Sequence, residues 1–95
     1  MSNHYLIMYR PPRDGFAENA TPEESMVVMK HFEYLKQLHA EKVVLFAGRI
    51  EDARFGIALL ETETEQEAQK IMNDDPAVKA KVFTADLLPF SLALR

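Results

Sequence analysis

His31 lies inside the apolar arc of a helix, and an imidazole aimed at a core is the side chain in this sequence best placed to move a proton. At about 100° per residue, Val28, Phe32, Leu35 and Leu38 form one arc with His31 within it, while Lys30, Glu33, Lys36 and Gln37 take the other side. Burial disfavours the charged imidazole and a nearby carboxylate favours it, so a half-buried histidine can be tuned to act as general base or acid near neutrality. The same position also suits a core histidine whose hydrogen bonds are simply satisfied, and the residues leave both readings open. Arg10, Arg49 and Arg54 fall at strand ends or turns, where a guanidinium either clamps a carboxylate-bearing ligand or lies solvated. Tyr5, Tyr9 and Tyr34 carry phenolic hydroxyls that suit a ligand as well as an amphipathic core or interface position. Arg49, Arg10 and Tyr9 are the candidate substrate-binding residues.

Other chemistries find no footing. The chain has no cysteine, which removes thiolate nucleophiles, disulfides and cysteine-ligated zinc. Its histidines are His4, His31 and His39. The last two stand two helical turns apart, with about 12 Å of rise between them. No metal site is expected. There is no glycine-rich phosphate loop, nucleophile elbow or dinucleotide fingerprint, so no organic cofactor is expected either.

The elements that must position these groups follow from periodicity and punctuation. Residues 4–10 are a β-rich run that stops at Pro11-Pro12, and residues 11–20 make a long connection with an Asp14-Gly15 turn signal and the shape of a lid. Thr21 as N-cap, Pro22 in the first turn and Glu24 reaching back open a helix to about residue 40. Strands are expected over 43–47 and 55–60, with a polar turn beginning at Gly48. Thr64 to Glu67 reads as a second capping box, opening a helix that ends near residue 73 and faces Ala68, Ile71 and Met72 inward. Asp75 before Pro76 is a common N-cap pattern and suggests a further helical turn through about residue 79. A last strand runs from 82 towards 94, with Pro89 marking an edge or a bulge.

This β-α-β-β-α-β order is that of a ferredoxin-like α+β sandwich: a four-stranded antiparallel sheet with two helices on one face. The 95 residues make a single domain, 1–95. Tyr5, Ile7 and Tyr9 point one way and Leu6 and Met8 the other, and residues 43–46 repeat the pattern, so both sheet faces want burial. Two helices cannot cover two faces. A second copy packed on the open face would, giving a homodimer, a dimeric α+β barrel. With 11 basic and 15 acidic residues mixed along the chain and a net charge of −4, there is no basic stripe for nucleic acid. No apolar run approaches a membrane span and Met1 to His4 is not a positive leader, which points to a cytoplasmic protein with no membrane association.

Several residues in order then resemble the YCII (YciI-like) family across nearly the whole chain. They are His31-Phe32-Glu33-Tyr34-Leu35, Leu38, Ala47-Gly48, Gly56, the Glu61 to Ala68 helix start, Asp75-Pro76 and Pro89-Phe90. The resemblance implies a dimeric α+β barrel, in agreement with the pattern argument. It also implies an active-site dyad of a first-helix histidine and the aspartate of the Asp-Pro pair, here His31 and Asp75. Two positions depart from similar chains. Lys42 stands where glycine is common before the second strand, and Arg49 where proline often follows Gly48. An arginine beside a pocket mouth favours an anionic substrate.

Two functions are therefore expected in competition. One is a small cofactor-free enzyme, a lyase or isomerase in which His31 and Asp75 carry out general acid-base elimination or isomerisation on a small, anionic, cyclic or aromatic compound. The alternative is a non-catalytic dimeric module that binds a small-molecule ligand or a partner protein.

Overall fold

The computed structural model describes residues 3–94. Strand β1 (His4–Arg10) is followed by a single turn α1 (Phe16–Asn19), the long helix α2 (Pro22–Ala40), strands β2 (Val44–Arg49) and β3 (Gly56–Glu61), helix α3 (Glu65–Asp74), a second single turn α4 (Pro76–Lys79) and strand β4 (Thr84–Phe90). The sheet order is β2-β3-β1-β4, every pairing antiparallel, which is the expected α+β sandwich. No helix among the described residues is long and apolar enough to cross a membrane.

Local chemistry sets the helix ends. Thr21 Oγ1 accepts from the Glu24 amide and the Glu24 carboxylate accepts from the Thr21 amide, so the first capping box closes in both directions. At α3 only half of the expected box forms: Thr64 Oγ1 accepts from the Glu67 amide. Helix α2 ends with Lys42 at φ 66°, and its amide and that of Val43 bond back to the His39 and Leu38 carbonyls. That is the Schellman arrangement, in which glycine is the usual residue.

The helices cover one face. Tyr5, Ile7 and Tyr9 of β1 pack with Val44, Ala58 and Leu60 of the neighbouring strands under Leu35 of α2 and Ala68 and Met72 of α3. Pairing places Leu6 opposite Leu59 and Leu88, and Met8 opposite Ile57, on the other face. Leu88 is 44% exposed there.

Three details differ from the sequence reading. The connection after β1 holds the turn α1, whose Phe16 is buried, and Arg13 ties it to α2 through Glu24. β2 continues through Gly48 and Arg49, because Arg49 pairs with Gly56 and the reversal is taken by residues 50–55. Phe32 is 63% exposed. It sits about 100° round the helix from His31, past the packed arc of Tyr34, Leu35 and Leu38, and faces a cavity instead.

Candidate active site

One end of the layer between α2 and the sheet is left unfilled, forming a cavity of about 770 Å³. Helix α2 supplies Ser25, Val28, His31, Phe32, Leu35, Lys36 and His39 to its wall, and the sheet supplies Tyr9, Gly56 and Arg49. His31 is where the packed arc of α2 meets the cavity arc, which explains a histidine among apolar neighbours.

Behind the imidazole stands Asp75, with no exposed surface. His31 Nδ1 lies 2.7 Å from Asp75 Oδ2, and the Tyr9 hydroxyl donates to the same oxygen at 3.0 Å. Asp75 Oδ1 accepts from the Ala77 amide at 2.9 Å, the N-cap bond of α4. Every one of these contacts asks the carboxylate to accept, so the hydrogen on the His31 ring belongs on Nδ1. Nε2 is left as the basic nitrogen. The side chain of His31 retains 13% exposure and lines the cavity. Cap and pair coexist because they use different oxygens.

Aromatic edges hold the imidazole in place. Its ring meets Tyr9 at 4.8 Å and Phe83 at 5.2 Å between centroids, both near perpendicular, and Phe83 meets Phe16 at 5.9 Å. The Tyr9 hydroxyl is held far above its ordinary range, first by burial and then by the Asp75 carboxylate, so it stays protonated and keeps donating. Tyr34 is pushed up to about 12 by burial and by the charges of Asp74 and Asp75, and its hydroxyl donates to the Ile71 carbonyl at 2.7 Å.

Of the residues singled out from the sequence, His31, Tyr9 and Arg49 meet the cavity and Asp75 backs it. Arg10 does not reach it. It stands at the end of β1 and pairs with Asp86 of β4. Arg54 pairs with Asp52 in the β2–β3 reversal. Sequence reading missed Phe83, which it placed in the last strand but which precedes β4, a strand confined to Thr84–Phe90, and Lys36, which it placed on the polar side of α2. The signal for Lys36 was its position one turn after Phe32, once Phe32 is known to face a cavity.

The chain is thus a ferredoxin-like α+β domain with a buried carboxylate–imidazole pair at the end of a largely apolar cavity. The chain belongs to the YCII-related domain family, whose profile matches residues 5–91. Among solved structures it is similar in fold to 5-chloro-2-hydroxyhydroquinone dehydrochlorinase from Burkholderia phenoliruptrix AC1100, solved in complex with 2,5-dihydroxybenzoquinone. The two are 20% identical, with a TM-score of 0.66 over 92% of this chain and 93% of that one. No curated protein matches the chain.

Proposed function

We propose that the protein is a small cofactor-free enzyme of the cytoplasm in which His31 acts as general base on a small cyclic or aromatic compound, leading to elimination or isomerisation. The observation that carries this reading is the 2.7 Å contact between His31 Nδ1 and the fully buried Asp75 carboxylate. With Nδ1 committed to Asp75, Nε2 accepts a proton from a C–H or O–H of the bound compound, and the carboxylate stabilises the imidazolium that forms. Departure of a leaving group, or return of the proton at another atom, completes the reaction. Asp75 is itself held by Ala77 and Tyr9, so the base keeps its orientation without a metal-like anchor. Support of a different kind comes from a structural neighbour that is a dehydrochlorinase solved with a small quinone.

The working unit of this reading is a homodimer. Leu6, Met8, Ile57 and Leu88 share the sheet face opposite the helices and keep exposed surface, which a second copy would bury. The test of the catalytic reading is to incubate the protein with chlorinated and unchlorinated hydroxy-aromatic compounds in deuterated buffer. Chloride release or deuterium uptake should appear, and should fall by about two orders of magnitude or more in His31→Ala. Turnover that survives both His31→Ala and Asp75→Asn would remove the pair from the chemistry, and saturable binding without any turnover would make the protein a binding module.

A further inference from the structure

The wall of the cavity is one-sided in charge. Lys36 and Arg49 line it, together with His31 and His39, and no aspartate or glutamate does so among the described residues. In a chain with 15 acidic and 11 basic residues, a patch of this size would ordinarily include several acids. Arg49 is unusual in a second way. Arg10, Arg13 and Arg54 each hold a carboxylate, of Asp86, Glu24 and Asp52. Among the described residues Arg49 and Lys36 pair with none.

Sheet register sets how far the Arg49 backbone stands from that of Tyr9, which touches the base. Tyr9 pairs with Gly56, and Gly56 pairs with Arg49, so the three form one row across β1, β3 and β2 on the helix-covered face. Two strand spacings put the Tyr9 and Arg49 backbones about 10 Å apart. The residue between them has no side chain. Any side chain there would meet the Gly48 carbonyl at 3.1 Å and the Arg49 Cβ at 3.6 Å, on the cavity floor. Tyr9 touches His31 at one end of the row, and Arg49 stands at the other. A span of about 10 Å is on the order of the length of a six-membered ring with a substituent.

We propose that the cavity takes a small ring compound bearing one anionic oxygen group, a carboxylate or an acidic phenolate. Arg49 and Lys36 hold that group at the mouth while the opposite edge of the ring lies against His31. Phe32, 63% exposed, supplies the apolar rim over which the ring enters. The assignment deepens the proposed function and rests on the cavity being its working site.

The experiment compares benzoate with its neutral isostere benzamide by titration calorimetry, on wild type, Arg49→Gln, Lys36→Gln, the double variant and His31→Ala. Wild type should bind benzoate saturably and about ten-fold more tightly than benzamide, the scale of one charge-assisted hydrogen-bonded contact. The ratio should fall towards unity in the double variant and shrink as salt is raised. Both substitutions are at exposed positions, and circular dichroism confirms that each variant is folded before titration. Equal binding of acid and amide, an unchanged ratio in the double variant, or no saturable benzoate binding would each overturn the assignment. His31→Ala separates the two proposals: it should retain the preference for benzoate, and if it does while turnover is indifferent to His31, the anion site stands and only the catalytic reading falls.

Discussion

Asp75 divides its two oxygens between a helix cap and an imidazole, and that division makes its substitutions unequal. Asp75→Ala strands the Ala77 amide, the Tyr9 hydroxyl and the His31 ring nitrogen, all inside the fold, and should cost about 3–5 kcal/mol in urea unfolding. Tyr9→Phe removes one of the three donors without leaving a charge alone, and should cost about 1–2 kcal/mol. Equal losses for the two would mean that the carboxylate is not the hub the geometry shows. The phenols also set the alkaline limit of the fold. Tyr34 and Tyr9 both have folded values above the ordinary phenolic one, so the stability they supply is fully present below about pH 10 and drains away as pH rises through about 12 for Tyr34. Tyr34→Phe should therefore flatten the loss of melting temperature above pH 10. An alkaline limb as steep as that of wild type would count against it. At this scale the sequence displayed His31, as a basic residue in an apolar arc, and Asp75, as a cap before proline. Their meeting was implied only by the family resemblance and by no local spacing. The two are 44 positions apart and Tyr9 and Asp75 are 66 apart, and such pairings depend on how elements pack rather than on any local spacing.

Elements carry their own signals, and these were read more completely. Thr21, Pro22 and Glu24 state where α2 begins, because capping is chemistry within four consecutive residues. The partner of that box was not visible: Arg13 sets both terminal nitrogens against the Glu24 carboxylate, at 2.9 and 2.7 Å, from the far end of the connection. Glu24 is drawn down to about 2, first by Arg13 and then by the Thr21 amide. Its folded value lies below its unfolded one, so its contribution is present above the ordinary glutamate range of about 4 and is lost as pH falls towards 2. Glu24→Gln should give a shallower acid limb in thermal melts, and a limb of unchanged slope would show that the clamp is idle. At the other end of α2, Lys42 occupies the left-handed position of a Schellman turn, as Lys81 does after α4. A β-carbon there costs about 1 kcal/mol, so Lys42→Gly should raise the melting temperature by a few degrees, about 4 °C per kcal/mol or more in a domain of this size. No rise would mean that the unfolded-state entropy of glycine cancels the relief. The sequence departure at Lys42 is thus a matter of turn strain. Strand ends were read less well, because the pairing of Arg49 with Gly56 extends β2 through a glycine that in isolation signals a turn.

At the scale of the whole molecule, the alternation of Tyr5, Ile7 and Tyr9 with Leu6 and Met8 already said that both faces of the sheet are apolar, and with one of them packed under α2 and α3 the other keeps Leu88 44% exposed and Leu6 and Met8 half-buried. Hydrophobic pattern is legible in sequence because it has the period of the strand. What lies opposite is not, because a partner surface leaves no period of its own in this chain. In a dimer with two-fold symmetry, a residue near the axis meets the partner's own copy of the same surface, so one substitution places two charges into the interface. Leu88 is the residue of choice, being 44% exposed and standing beside Leu6 on the edge strand β4. Leu88→Arg removes little from the protomer's own core, so the protomer should stay folded, with circular dichroism like that of wild type. The dimer should weaken by two orders of magnitude or more, since buried and unpaired charges cost several kcal/mol. Sedimentation equilibrium of wild type at micromolar concentration should give twice the chain mass, and the Leu88→Arg protein should give the chain mass. A wild-type monomer, or a Leu88→Arg dimer as tight as wild type, would mean that this face is not where two copies meet.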